Sequence, residues 1–279
     1  MPAAEPRRIP ASTDLELLAS VGAEAGALAL TFFRRNPTTW VKANDSPVSD
    51  ADIAVDRLLS DRLRAARPEY GWLSEETADD SSRRGAKPVF IVDPIDGTRE
   101  FLAGRNGWCV SLAVVQNGRP IAAALVAPAL HETFLAGFGS GATLNGERIA
   151  VNKRHDLVGA TLAGPRRYLR GVAEAGLVDV RAVRFVGSLA YRLALVADGR
   201  ADVAAAREGS RDWDLAAADL LVHEAGGVLT DLEGLAVRYD RAETEHPPLV
   251  ATPRELNAEV RRLVSAEIAT FDIQQARFL

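Results

Sequence analysis

The run Val89-Phe90-Ile91-Val92-Asp93-Pro94-Ile95-Asp96-Gly97-Thr98 joins a fully apolar tetrapeptide to two carboxylates and a glycine. A short apolar run that stops abruptly at Asp93-Pro94 has the form of a buried strand delivering a carboxylate at its C-terminal end. Pro94 stiffens the turn, and Asp96-Gly97-Thr98 opens a short helix through Phe101. Two carboxylates three residues apart across such a turn can converge on one pair of cations. Gly97 lets backbone approach a ligand closely, and the amides of Gly97 and Thr98 face an anion from a helix N-terminus. The competing interpretation is an ordinary strand-to-helix turn capped by Asp. Carboxylates and anion-facing amides on the same few residues favour a phosphate site.

Downstream of this segment, Val110 to Val115, Ile121 to Val126 and Thr133 to Ala136 read as strands. Asn117-Gly118 marks a tight hairpin and Asn145-Gly146 another turn, so Trp108 to Val151 forms an antiparallel meander. Upstream, Thr13 and Glu16 fit a capping box for a helix from Thr13 to Arg35. Its apolar stripe is Leu15, Leu18, Val21, Ala25, Leu28 and Phe32. A second helix starts near Ser49, carries Ile53, Val55, Leu58, Leu59 and Leu63, and ends at Pro68. After Lys153 short strands alternate with helices at Ser188 to Val196, Leu215 to Ala225 and Glu255 to Val264. Gly226-Gly227 closes the middle one. The expected organisation is a flexible tail (1–11), an N-terminal α+β subdomain (12–152), a C-terminal α/β subdomain (153–265) and a C-terminal tail (266–279).

The 279 residues suffice for one large domain or two packed subdomains, and 47% hydrophobic with 25% charged content is ordinary for a soluble protein. A net charge of −5 argues against a nucleic-acid polymer as partner, while cations bound at an acidic site still admit a phosphorylated one. Cys109 is the single cysteine, which excludes an intramolecular disulfide and suits a reducing cytoplasm. Met1 to Pro10 lack the apolar stretch of a secretory signal, and no segment reads as membrane-spanning.

Further acidic positions accompany the central segment. Glu75-Glu76 follows Trp72-Leu73-Ser74, and Trp213-Asp214 precedes a helix rich in small residues, Ala216, Ala217 and Ala218. These segments supply hard oxygen ligands of the type Mg²⁺ selects. No Cys/His cluster competes for zinc, since His131, His155, His223 and His246 lie in none of them. Taken alone, Asp214 fits an N-cap, Glu75-Glu76 a solvated surface pair and Asp52 a residue favoured by the helix dipole.

In order, these segments resemble the inositol monophosphatase superfamily. Its pattern is an acidic Glu-Glu motif, then Asp-Pro-Ile/Leu-Asp-Gly-Thr, then Trp-Asp before an Ala-rich helix ending in Glu-Ala-Gly-Gly, here His223-Glu224-Ala225-Gly226-Gly227. The resemblance spans roughly residues 12–265 and implies an α-β-α-β-α sandwich of the inositol monophosphatase and fructose-1,6-bisphosphatase type. It implies that Glu75, Asp93 and the Ile95 carbonyl bind a first metal, that Asp93, Asp96 and Asp214 bind a second, and that a weaker third ion sits near Glu75. Mg²⁺ is the implied ion, with Mn²⁺ as substitute, and Li⁺ is an expected inhibitor. Gly97 and Thr98 would hold the phosphate, and Asp52 would pair with the Thr98 hydroxyl that activates the attacking water, with Glu75 assisting. A homodimer is compatible, because the family includes dimers and monomers.

Within the superfamily, several spellings resemble 3′(2′),5′-bisphosphate nucleotidases. Lys42-Ala43-Asn44-Asp45-Ser46-Pro47-Val48 is similar to their Lys-Ala-Asp-x-Ser-Pro-Val, Ser74 stands before Glu75 where inositol phosphatases have Gly, and Gly97-Thr98-Arg99-Glu100-Phe101 is similar to Gly-Thr-Lys-Glu-Phe. Arg207 falls where the inositol enzymes place a ring-binding Glu, and a guanidinium there would contact a second phosphate. Gly187, Ser188 and Tyr191, with Asp214, are expected to line the substrate side. The expected reaction is adenosine 3′,5′-bisphosphate to AMP and phosphate. Inositol-1-phosphate is the closest rival, with fructose-1,6-bisphosphate and histidinol phosphate behind it. A non-catalytic binding protein on the same fold is the alternative from another class; it would be signalled by a missing metal carboxylate, and none is missing.

Overall fold

A computed structural model describes residues 11–42, 47–79, 81–84, 88–183 and 185–276. Most of the expected N-terminal tail, Ala43 to Ser46 of the Lys42 motif, and residues 277–279 lie outside them. Helices α1 (Ala11–Phe32) and α2 (Asp50–Ala66) flank an antiparallel ribbon of β1 (Thr39–Val41) and β2 (Pro47–Ser49). β3 (Gly71–Ser74) and β4 (Val89–Asp96) then lead through α3 (Thr98–Leu102) into the meander. Its strands are β5 (Cys109–Gln116), β6 (Arg119–Ala127), β7 (Glu132–Gly137), β8 (Gly141–Leu144) and β9 (Glu147–Arg148). The strands β3 to β9 make one sheet in sequential order, parallel only at β3–β4. Asn117 and Asn145 both take left-handed backbone, as the two tight turns require.

The rest of the chain gives β10 (Leu162–Ala163), α4 (Arg166–Ala175), α5 (Leu189–Ala197), β11 (Val203–Ala206) and β12 (Ser210–Arg211). It continues with α6 (Asp212–Glu224), β13 (Gly227–Asp231), β14 (Glu245–His246), β15 (Leu249–Pro253) and α7 (Asn257–Ala276). A four-stranded sheet runs β10-β11-β15-β13, and β12 pairs with β14 in a short ribbon at the start of α6.

Strand alternation sorts the side chains into layers. On β4, Phe90 and Val92 pack with Leu18, Val21, Val55 and Leu59 of α1 and α2, whereas Val89 and Ile91 join the core around α5 and α6. On β11, Ala204 and Ala206 join that same middle core, while Val203 and Ala205 pack with Leu169 and Val172 of α4 and Val260 and Val264 of α7. The order is α1/α2, seven-stranded sheet, α5/α6, four-stranded sheet, α4/α7: the α-β-α-β-α sandwich that the resemblance implies. The middle helices are buried on both sides. Every residue from Ala190 to Ala197 is buried, and Ala216, Ala217 and Ala218 let α6 lie close to both sheets.

Two helix ends, in α6 and α7, stand apart from the sequence reading. α6 begins at Asp212, so Asp214 is not the N-cap but the third residue of the helix, where its carboxylate closes back onto the Arg211 N–H. α7 continues to Ala276, well past residue 265, because Ile268 carries its apolar stripe onward against the outer core. α1 is by length and composition apolar enough to cross a bilayer, yet Leu18, Val21, Ala25 and Ala29 are packed against the large sheet and α2, as in a core helix.

Candidate metal centre

A regular strand would turn Asp93 and Asp96 to opposite faces, since they are three residues apart. The β4–β5 register slips between them, from Asp93 opposite Ser111 to Asp96 opposite Cys109. This bulge contains Pro94, which has no N–H to contribute to the ladder, and it returns Asp96 to the α5/α6 side already faced by Asp93. There Asp93, Asp96 and Asp214 each present a carboxylate oxygen within 4.8 Å of the others.

Each of the three is held from its own side. Asp93 Oδ1 accepts the Ile95 N–H at 3.0 Å, while Oδ2 is buried with no hydrogen-bond partner. Asp96 Oδ2 accepts from the Ser188 hydroxyl and from the Ala190 N–H, the latter at 2.6 Å, at the N-terminus of α5. Asp214 Oδ2 accepts the Arg211 N–H at 2.7 Å in the first turn of α6. Two helix N-termini thus point their positive ends at the cluster. α6 is itself anchored by Asp212, whose carboxylate takes His246 Nε2 at 2.6 Å and the Asp240 N–H at 2.9 Å. His246, assigned to no motif in the sequence, therefore braces the turn that carries Asp214.

Burial raises the Asp93 carboxyl well above its ordinary range, and the charges of Glu75, Asp96 and Asp214 raise it further. Burial and then Asp96 do the same for Asp214. Asp96 is pushed up to about 6 by burial, against its hydrogen bonds from Ser188 and Ala190. Three crowded carboxylates, one with an unpartnered buried oxygen, form a hard-oxygen donor set suited to a divalent cation.

The fourth expected ligand stands slightly apart. Glu75 is close enough for its charge to act on Asp93, Asp96 and Asp214, but its Oε1 lies 3.2 Å from Lys42 Nζ, which also pairs with Glu76 at 2.6 Å. Burial raises Glu76 to about 7, against the Lys42 hydrogen bond. The structure therefore brings three of the four carboxylates together and gives Glu75 an ammonium as neighbour. The Thr98 hydroxyl is 3.2 Å from both Asp52 Oδ1 and the Ile95 carbonyl, as the Asp52–Thr98 pairing anticipates. Asp52 is 1% exposed; its Oδ2 accepts from Ser49 N and Oγ at 2.8 and 2.6 Å, and burial raises its carboxyl. Gly97 has φ +93°, and a Cβ there would stand 3.0 Å from Ser188 Cβ, so both conformation and packing require glycine.

The expected substrate-lining residues fare differently. Ser188 is fully buried, with its hydroxyl spent on Asp96 and on the Tyr191 N–H. Tyr191 is 2% exposed and donates to Glu132 at 2.9 Å with Arg200 beside it. Both hydroxyls are thus engaged within the protein. Gly187 packs so tightly on Glu100 that any side chain would overlap it. Arg207 is exposed, and its charge acts on Arg192, which the sequence reading did not single out. Arg192 is 8% exposed, with Nε and Nη1 held by the carbonyls of Val186 and Ala205 at 3.1 and 2.8 Å. Burial lowers it to about 10, while the charges of Asp96 and Asp214 pull the other way. Its signal in the sequence was a lone charge inside the otherwise uncharged run Leu189–Ala197.

Comparison with known proteins identifies the family and the fold. The model of the inositol monophosphatase family matches residues 12–269. The Nus factor SuhB of Xylella fastidiosa is 36% identical over 248 residues, covering 85% of this chain and 89% of its own. The inositol-1-monophosphatase of Rhizobium meliloti is 38% identical over 195 residues, covering 67% and 73%. The solved IMPase structure from Thermotoga maritima superposes with a TM-score of 0.82 at 27% identity, covering 92% of this chain and 99% of that one. With the family model matching nearly the whole length and the fold in agreement, the chain belongs to the inositol monophosphatase family and is a phosphomonoester hydrolase.

Proposed function

We propose that the chain is a Mg²⁺-dependent 3′(2′),5′-bisphosphate nucleotidase that converts adenosine 3′,5′-bisphosphate and water to AMP and phosphate. The observation that carries this choice is Arg207, an exposed guanidinium where the resemblance would place a ring-binding Glu. The Arg207 charge acts on the buried Arg192, whose own charge interacts with Asp96 and Asp214. An exposed guanidinium there suits a substrate with a second phosphate, whereas a ring of hydroxyls would need acceptors.

Asp93, Asp96 and Asp214, with Glu75 and the Ile95 carbonyl, would hold two or three Mg²⁺ ions, and Mn²⁺ would fit the same donors. Divalent cations there supply Lewis-acid polarisation of the phosphoryl oxygens and acidify water near neutral pH. The Thr98 hydroxyl, 3.2 Å from Asp52 Oδ1, orients the attacking water and passes its proton towards Asp52. Gly97 and Thr98 face the phosphate with backbone N–H groups at the start of α3. Attack by water without a phosphoenzyme inverts configuration at phosphorus. This reading places the reaction in the cytoplasm.

Inositol-1-phosphate hydrolysis is the second reading, favoured by the 38% identity to a protein named for that activity. A panel of adenosine 3′,5′-bisphosphate, inositol-1-phosphate, fructose-1,6-bisphosphate and histidinol phosphate separates them by kcat/KM. The nucleotide is expected to lead by at least tenfold, a difference of ~1.4 kcal/mol, and Arg207→Ala should erase that lead while sparing inositol-1-phosphate turnover. A tenfold lead for inositol-1-phosphate rejects the nucleotide.

A further inference from the structure

Asp52 and Asp56 lie one helical turn apart on α2 and therefore on one face. Both are buried, at 1% and 8% exposure. Asp52 reaches the turn after β4 through Thr98. Asp56 reaches the turn after β3: its Oδ1 accepts from Ser74 Oγ at 2.5 Å and its Oδ2 from Thr77 Oγ1 at 2.8 Å. Ser74 Oγ in turn accepts the Glu76 N–H at 3.2 Å. The two hydroxyls flank Glu75-Glu76, so one carboxylate grips both sides of that turn, while Lys42 holds the glutamate heads. Among the described residues no Lys or Arg pairs with Asp56. A buried carboxylate without a cation is a costly way to brace a loop, and an apolar contact would serve packing alone.

We infer that Asp56 is a positioning residue for metal binding: through Ser74 and Thr77 it sets the Glu75 turn at a fixed distance from the Asp93–Thr98 turn, with α2 as the spacer between them. The inference rests on the assignment of Glu75 as a metal ligand. It also gives Ser74 a physical role beyond a family spelling, because a glycine before Glu75 could not make this bond.

The test is Mg²⁺ titration followed by thermal shift without substrate, paired with phosphate release at each Mg²⁺ concentration. Asp56→Ala should raise the half-saturating Mg²⁺ concentration about tenfold or more in both assays, as loss of a group that orients a metal ligand does. KM for substrate at saturating Mg²⁺ should stay at the wild-type value. Ser74→Ala and Thr77→Val should each raise the Mg²⁺ midpoint by less, and adding either to Asp56→Ala should change nothing further. A lower metal-free Tm with an unchanged Mg²⁺ midpoint would make Asp56 merely structural and overturn the inference. If Asp56→Ala does not fold, wild-type midpoints in both hydroxyl variants overturn it equally. A wild type whose Tm ignores Mg²⁺ would overturn the metal assignment, and this inference with it.

Discussion

Asp93→Asn should make the metal-free protein more stable while removing its activity. The Asp93, Asp96 and Asp214 oxygens lie within 4.8 Å of one another, and Asp93 belongs to two of the three pairs. Full charges at that separation repel by ~3.5 kcal/mol per pair at an effective dielectric of about 20. Burial already shifts the carboxyls towards the protonated form, so the repulsion realised near neutral pH is smaller, on the order of 1–3 kcal/mol. Asparagine preserves the shape. Its oxygen can keep the Ile95 N–H, and its amide would donate from the position of the unpartnered Oδ2 to a neighbouring carboxylate. In EDTA the variant should therefore melt higher than wild type, by roughly 2–6 °C for a chain of this size. Added Mg²⁺ should raise the wild-type Tm and leave the variant unmoved, and phosphate release by the variant should fall to background. A variant that melts lower in EDTA, still responds to Mg²⁺, or turns over substrate would refute the reasoning.

Two other outcomes concern groups away from the ligands or between them. Asp219 is pushed up to about 6 by burial, against Arg119 and the Tyr239 hydroxyl 3.0 Å away. A raised folded pKa means that its stabilising contribution is fully present below the unfolded value near 4 and is lost as pH rises through about 6. Urea melts from pH 4 to 7 in EDTA should show wild type losing stability relative to Asp219→Asn across that window; parallel curves would exclude it. Gly97→Ala should lose about 1–3 kcal/mol from the φ of +93°, with more from the clash at Ser188, and should weaken activity because Ser188 also holds Asp96. A variant with wild-type melting would show that the turn relaxes freely.

Local signals carried the helices, the hairpins and the order of the acidic segments, because capping, periodicity and Asn-Gly turns act over a few residues. That Asp93 and Asp96 belong to one site was legible from the Asp93-Pro94-Ile95-Asp96-Gly97-Thr98 string, whereas the bulge that turns them to one face depends on β5 and cannot be read from β4 alone. The internal partners of Ser188 and Tyr191 are unreadable in the sequence for a related reason. Proximity to the site in sequence says nothing about which side of α5 is buried, and that helix lies between two sheets. Arg192 and Asp56 were invisible for opposite reasons: one is a charge hidden in an apolar run, the other an ordinary acidic position on an amphipathic helix. The Lys42 pairing with Glu75 and Glu76 spans more than thirty positions and exists only in the folded chain.

The slipped register at Pro94 constrains how this protein can vary. Substitutions in the loop between β3 and β4 leave the facing of the strand's side chains unaffected, but removing or adding one residue between Asp93 and Asp96 would invert the parity of the positions beyond it. Asp96 would then turn towards α1 and α2, and Ile95 would be exchanged into the polar cluster. Natural or engineered drift at this point should therefore proceed by replacement and never by insertion or deletion, so a length change here marks a chain that has given up hydrolysis.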